Sequence, residues 1–213
     1  MALFRKKPRT RAEILAAADH ARARGRVKRA VAGYREALTS DPEDPSVNVK
    51  LAPLLARLGD TEGGAACFRT AARRHLQQGF TDRAAAVNAT ATQTFPLDAG
   101  FRLELARLNV VRGRRADAVG ALVDGGRALA RARRGEAAVP LLRQALELEP
   151  WHAATILTLA PLLARGGTAD EARRLLDGLD GRLPRGERRR ARWVAFRLWP
   201  GPRTLWRWMF PGS

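Results

Sequence analysis

The chain has 213 residues, 46% hydrophobic and 28% charged, enough apolar material for one ordinary domain or two small ones without disulfides or metals, and too much for a disordered tail or a collagen-like fibre. Ala fills 40 positions while Ile and Tyr are nearly absent, so the intrinsic preference is helical and almost no sheet is expected. The net charge of +18 sits at the two ends: residues 1–30 and 181–213 carry +8 each, and residues 31–180 only +2.

The opening MALFRKKPRT has no apolar run fit for a signal peptide, so residues 1–10 read as a basic arm and the expected location is cytoplasmic. Cys67 is the single cysteine and cannot form an internal disulfide. No uninterrupted apolar stretch reaches about 18 residues, so no single helix is expected to span a bilayer, while peripheral attachment at its inner face stays open.

From residue 11 small residues recur at helical spacing and Gly closes the turns. Over 11–44 the pattern is Ala18, turn Gly25, then Ala30, Tyr34 and Ala37 before Pro42. Over 45–78 it is Leu51, Ala52, Gly59, Phe68 and Ala71, and over 65–98 Gly79, Ala84, Ala91 and Pro96. These last two overlap, which predicts one long helix near 62–78 shared between them. The segments LAPLLARLG (51–59), LARLNVVRG (105–113) and LAPLLARGG (159–167) lie 54 residues apart without gaps, so a three-helix unit repeats through 99–132, 121–150 and 153–180. Gly135 lies two residues later than a 54-residue shift of Gly79 predicts, so the middle turn of the second unit is expected to slip and the helix before it to lengthen. Pro53, Pro140 and Pro161 fall inside predicted helices at about 3 kcal/mol each, and kinks are expected there.

These residues and spacings resemble the tetratricopeptide repeat (TPR), a 34-residue helix-turn-helix motif, across residues 11–180. The resemblance implies an all-α fold, an α-solenoid of helix-turn-helix repeats winding as a right-handed superhelix, and a protein-binding groove along its concave face. Carried over in register, the family's groove positions fall on Arg22, Arg57, Arg69, Arg73, Arg107, Arg133 and Arg165. Such a row would favour an acidic or carboxylate-bearing protein or peptide, since a guanidinium forks onto a carboxylate. The ordinary alternative is a set of solvated helix charges. The family's carboxylate clamp is not reproduced, because Leu15 and Asp19 stand where it needs Lys and Asn.

Catalytic chemistry is poorly represented. His20, His75 and His152 fall in three separate units without ligand spacing, Cys67 adjoins Phe68 on a core-facing helix side, and the pairs Gly63-Gly64, Gly125-Gly126 and Gly166-Gly167 lack the strand and Lys of a phosphate loop. No catalytic residue, cofactor or metal is expected, and a non-enzymatic adaptor is the favoured reading.

Residues 181–213 differ from everything before them. Trp193, Phe196, Trp199, Trp206, Trp208 and Phe210 are interleaved with Arg, and Pro200 and Pro202 split the segment into helices near 186–199 and 203–209. Three readings stay open: a cap over the apolar face of the last repeat, an anchor on an anionic membrane surface, or a contact for a protein partner. Nucleic acid ranks last, because the charge is terminal and no RRM, zinc-finger or RGG pattern occurs.

Overall fold

The computed structural model describes residues 9–209, apart from the side chains of residues 185–187. Among the described residues all regular structure is helical: α1 (Arg11–Ala23), α2 (Val27–Leu38), α3 (Pro45–Arg57), α4 (Thr61–Gln77), α5 (Thr81–Thr94), α6 (Ala99–Val111), α7 (Arg115–Arg131), α8 (Gly135–Leu148), α9 (Ala153–Arg165), α10 (Ala169–Asp180), α11 (Arg185–Leu198) and α12 (Pro202–Met209). No helix among them is long and apolar enough to cross a membrane. The chain divides between Phe95 and Pro96 into two compact units, the first containing α1–α5 and the second α6–α12.

The 54-residue shift carries α3 onto α6 and α9, α4 onto α7, and α5 onto α8 with identical boundaries. Local chemistry explains this. Asp44 accepts hydrogen bonds from the Ser46 and Val47 amides, and Asp98 from the Gly100 amide, so the acidic residues near Pro42 and Pro96 cap the next helix. Each such cap contributes about 1 kcal/mol by occupying amides that have no partner inside the helix. In the third copy His152 holds that place, its Nδ1 2.7 Å from Thr155 Oγ1. At the other end Gly59, Gly113 and Gly167 all take left-handed φ values, between +70° and +87°.

The middle turn does not slip. α4 and α7 are both 17 residues long, and Gly135 is the first residue of α8. The left-handed position held by Gly79 (φ +77°) is held in the next unit by Arg133 (φ +60°). The sequence expectation failed because it assumed that only Gly closes such a turn. α3, α8 and α9 run through Pro53, Pro140 and Pro161, each partly or fully exposed, so the missing amide removes a ladder bond without ending the helix.

Packing follows the order of the chain. In the first unit each helix lies on the next and α3 also reaches α5; in the second the same holds, with α6 reaching α8, α7 reaching α9 and α9 reaching α11. This neighbour and next-neighbour pattern is that of a solenoid. Ala18, Ala30, Val31, Tyr34, Leu51 and Leu55 form the core of the first unit with Cys67 against it. Small residues set the helix spacing. A Cβ on Gly33 would lie 2.8 Å from the Ala18 Cβ, and one on Gly64 2.8 Å from the Ala52 carbonyl oxygen.

In the second unit one core gathers Ala106, Leu122, Leu129, Leu141 and Ala145, and another Leu142, Ile156, Leu159, Leu176 and Leu179. Gly125 and Gly126 admit Leu141 and Leu142, whose side chains would meet a Cβ at 2.7 and 2.6 Å. Ala52, Ala106 and Ala160 are equivalently buried. Leu51 and Leu159 are buried too, but Leu105 is only half-buried. α6 opens its unit, so within that unit no preceding helix covers it.

Candidate functional site

The seven arginines expected along a groove divide by their surroundings. In the first unit Arg22 lies 3.8 Å from Asp19 and Arg73 2.9 Å from Glu43. Arg69 is exposed on α4, and Arg57, at the end of α3, is exposed and forms no ion pair among the described residues. In the second unit Arg107 pairs with Glu104 at 3.0 Å, and that hydrogen bond raises its pKa. Pairs as exposed as these are worth about 0–1 kcal/mol, so a ligand carboxylate can displace them but must compete. Asp19 is further engaged by the Tyr34 hydroxyl and by Lys50 Nζ at 2.9 Å. These partners, the Tyr34 hydrogen bond first, hold its carboxyl below the usual range despite partial burial.

The structure brings Arg133 and Arg165 together. They line an open cleft of about 530 Å³ between the α7–α8 turn and the end of α9, over an apolar floor that includes Ala130, Val139 and Leu162, with Glu136 at its side. Both guanidiniums are exposed, and neither forms an ion pair among the described residues. The left-handed backbone at Arg133 costs an L-residue about 1–2 kcal/mol. Sequence reasoning named Arg133 but missed its backbone, although shifting Gly79 by one repeat lands on it. Arg107 lines a separate cleft of about 590 Å³ beside Leu103, Val110, Val111 and Leu148.

In the last part of the second unit, α11 lays Ala191, Val194, Ala195, Leu198 and Trp199 against the α9–α10 core. Trp193, Phe196 and Trp208 cluster with one another instead, with centroids 5.1–6.2 Å apart and only the Phe196 and Trp208 rings stacked, and the Arg189 guanidinium lies 5.5 Å from the Trp208 ring. Trp206 is 55% exposed in α12, and Phe210 lies outside the described residues. Asp180, with a side chain only 10% exposed, receives Arg192 Nε at 2.9 Å and Arg207 Nη2 at 3.1 Å, while Arg207 Nη1 reaches Asp177 at 3.0 Å. A buried carboxylate with two guanidiniums ties α11 and α12 to α10.

The candidates for chemistry remain apart. His20 is exposed on α1, His75 is half-buried on α4 where burial lowers its pKa, and His152 begins α9. Burial raises the Cys67 thiol, which disfavours the reactive thiolate. Among the described residues no group of three or more His, Cys, Asp or Glu is placed to hold a metal ion.

One family model of the tetratricopeptide repeat matches residues 15–74 and 69–125, and a second such model matches 129–192. Among solved structures the chain is similar to a MamA protein (MamA MSR-1 C2) at 20% identity, covering 85% of this chain and 94% of that one with a TM-score of 0.40. It is similar to pilF of Pseudomonas aeruginosa at 15% identity, covering 95% and 93% with a TM-score of 0.33. YrrB, described as a TPR protein with an unusual peptide-binding site, aligns at 14% identity over 92% and 89% with a TM-score of 0.27. No curated protein matches. With the repeat matched over most of its length and all its described secondary structure helical, this chain belongs to the tetratricopeptide repeat family.

Proposed function

We propose that the chain is a non-enzymatic adaptor that holds a protein partner by an acidic segment seated in the cleft of Arg133 and Arg165. The observation that carries this reading is Arg133 itself. The equivalent turn in the preceding repeat uses Gly79, which adopts a left-handed φ at no steric cost. An Arg there is a strained choice, and strain retained beside a cleft is a mark of function. It adds a second guanidinium to the cleft that Arg165 lines together with apolar side chains, where a carboxylate and its neighbouring apolar groups would both find partners. Arg22, Arg57, Arg69, Arg73 and Arg107 then serve as supporting positive charge, three of them already shared with Asp19, Glu43 and Glu104.

The test is affinity purification from the native host with the parent chain, with Arg133→Gly plus Arg165→Glu, and with Arg69→Glu plus Arg73→Glu plus Arg107→Glu. The partner should be lost with the first variant and retained with the second. Its acidic segment, made as a peptide, should bind about tenfold more weakly for each cleft guanidinium removed. Equal recovery of the same partners by the cleft variant would refute the proposal.

A further inference from the structure

α12 is held to the protein by polar contacts and one aromatic side chain, and most of its apolar side is left uncovered. Toward the protein it turns Arg207, which reaches Asp177 and Asp180, Thr204, whose hydroxyl donates to the Trp199 and Gly201 carbonyls, and Trp208, which packs against Trp193 and Phe196. The rest of its apolar side faces outward, with Leu205 38%, Trp206 55% and Met209 56% exposed and no residue of the helix buried. An amphipathic helix on a globular body normally buries that side. The buried Asp180–Arg192 pair fixes this arrangement, since Arg192 also donates to the Arg207 carbonyl oxygen at 2.9 Å.

α11 continues the surface. With Ala191, Val194, Ala195 and Leu198 turned to the core, its other face carries Arg189, Arg190, Trp193, Phe196 and Arg197 at spacings of three and four. Phe196 stacks on Trp208 and Trp193 packs against it at a tilt, one turn from Leu205. Arg190, Arg197 and Arg203 are exposed and form no ion pair among the described residues. The outcome is an aromatic and aliphatic strip edged by exposed guanidiniums, on a segment bearing nine Arg and one acid.

We infer that this strip seats on an anionic lipid surface, with Leu205, Trp206 and Met209 at the headgroup boundary and Arg190, Arg197 and Arg203 on the phosphates. The charge decides among possible occupants. A second copy would bring the same positive strip and repel, whereas an anionic bilayer offers both negative charge and an apolar boundary that suits Trp. The inference is independent of the Arg133–Arg165 cleft.

The full chain is mixed with vesicles of phosphatidylcholine and phosphatidylserine at roughly 70:30, and with pure phosphatidylcholine vesicles. Co-sedimentation and a blue shift of Trp emission are expected with the first only. Leu205→Glu plus Met209→Glu should lower partitioning at least tenfold, and Arg197→Gln and Arg203→Gln about fivefold each, close to the contribution expected of one basic residue at an anionic surface. These side chains are exposed, so helicity by circular dichroism should match the parent; if the Glu variant failed to fold, the Gln variants alone would decide. The inference is overturned by absence of sedimentation, by equal binding to both vesicles, or by binding indifferent to both sets of substitutions. It is overturned equally by a dimer in ultracentrifugation that Leu205→Glu plus Met209→Glu abolishes, which assigns the strip to a second copy. Competition by polyglutamate that ignores Leu205 and Met209 would assign it to an acidic polypeptide.

Discussion

Replacing Arg133 with Gly should stabilise this protein, although it deletes a long charged side chain from the α7–α8 turn. The residue sits at φ +60°, where an L-residue pays about 1–2 kcal/mol. Gly removes that cost and adds about 0.5–1 kcal/mol through the greater freedom of its unfolded chain, leaving a net gain of ~0.5–1 kcal/mol. Nothing is lost in exchange, because the guanidinium has no ion pair among the described residues and is exposed. The reverse change at the equivalent turn provides the control. Gly79 has φ +77° and open space around a Cβ, so Gly79→Ala should lose a similar amount purely through backbone strain. Urea titration followed by far-ultraviolet circular dichroism measures both, with the midpoint rising for Arg133→Gly, falling for Gly79→Ala, and an unchanged slope in each. On heating, the gain corresponds to a midpoint shift of ~1–4 °C for a chain of this size. A less stable or unchanged Arg133→Gly would refute the strain assignment and remove the main support for a functional Arg at that turn.

Tyr34, the single tyrosine, gives the protein an alkaline limit. Burial, then its hydrogen bond to Asp19, pushes its pKa from 10 up to about 12. The fold therefore favours the neutral phenol, whose contribution is complete below pH 10 and is lost as pH rises through 12. Stability should fall by roughly 2–3 kcal/mol over that range and stay level in Tyr34→Phe, with phenolate absorbance reporting Tyr34 alone; titration near pH 10 would contradict the buried hydrogen bond. On α7, Gly126→Ala should cost about 1–3 kcal/mol by driving a methyl into Leu142, whereas Gly120→Ala, with open space around the new Cβ, should gain up to ~1 kcal/mol. Equal effects at the two positions in thermal melts would refute the close α7–α8 approach.

Several features of the fold were legible because they depend on local chemistry that repeats with the sequence. Asp44 and Asp98 cap whatever helix follows them, Gly59, Gly113 and Gly167 close whatever helix precedes them, and the spacing between those signals dictates helices of equal length. The Gly135 turn was misread because the signal sought was a residue type, whereas the backbone conformation was what repeated, and Arg133 adopts it. The pairing of candidate arginines was not legible. Arg73 and Glu43 are distant in sequence and meet only because α4 packs along α3, while Arg133 and Arg165 form no ion pair among the described residues although Glu136 lines the same cleft.

Composition, periodicity and turn residues by themselves determined a helical repeat and where its helices begin and end, since hydrogen bonding and capping act over a few residues. Only the tertiary structure decided which way each helix faces. In α12 the sequence contains an apolar edge and a polar edge in equal view, and amphipathicity alone would turn the apolar edge inward. Instead Trp208 packs inward while Leu205, Trp206 and Met209 stay exposed, because Asp180, buried beside Arg192, offers Arg207 a strong partner within a low-dielectric setting, a contact across 27 residues that no local pattern announces.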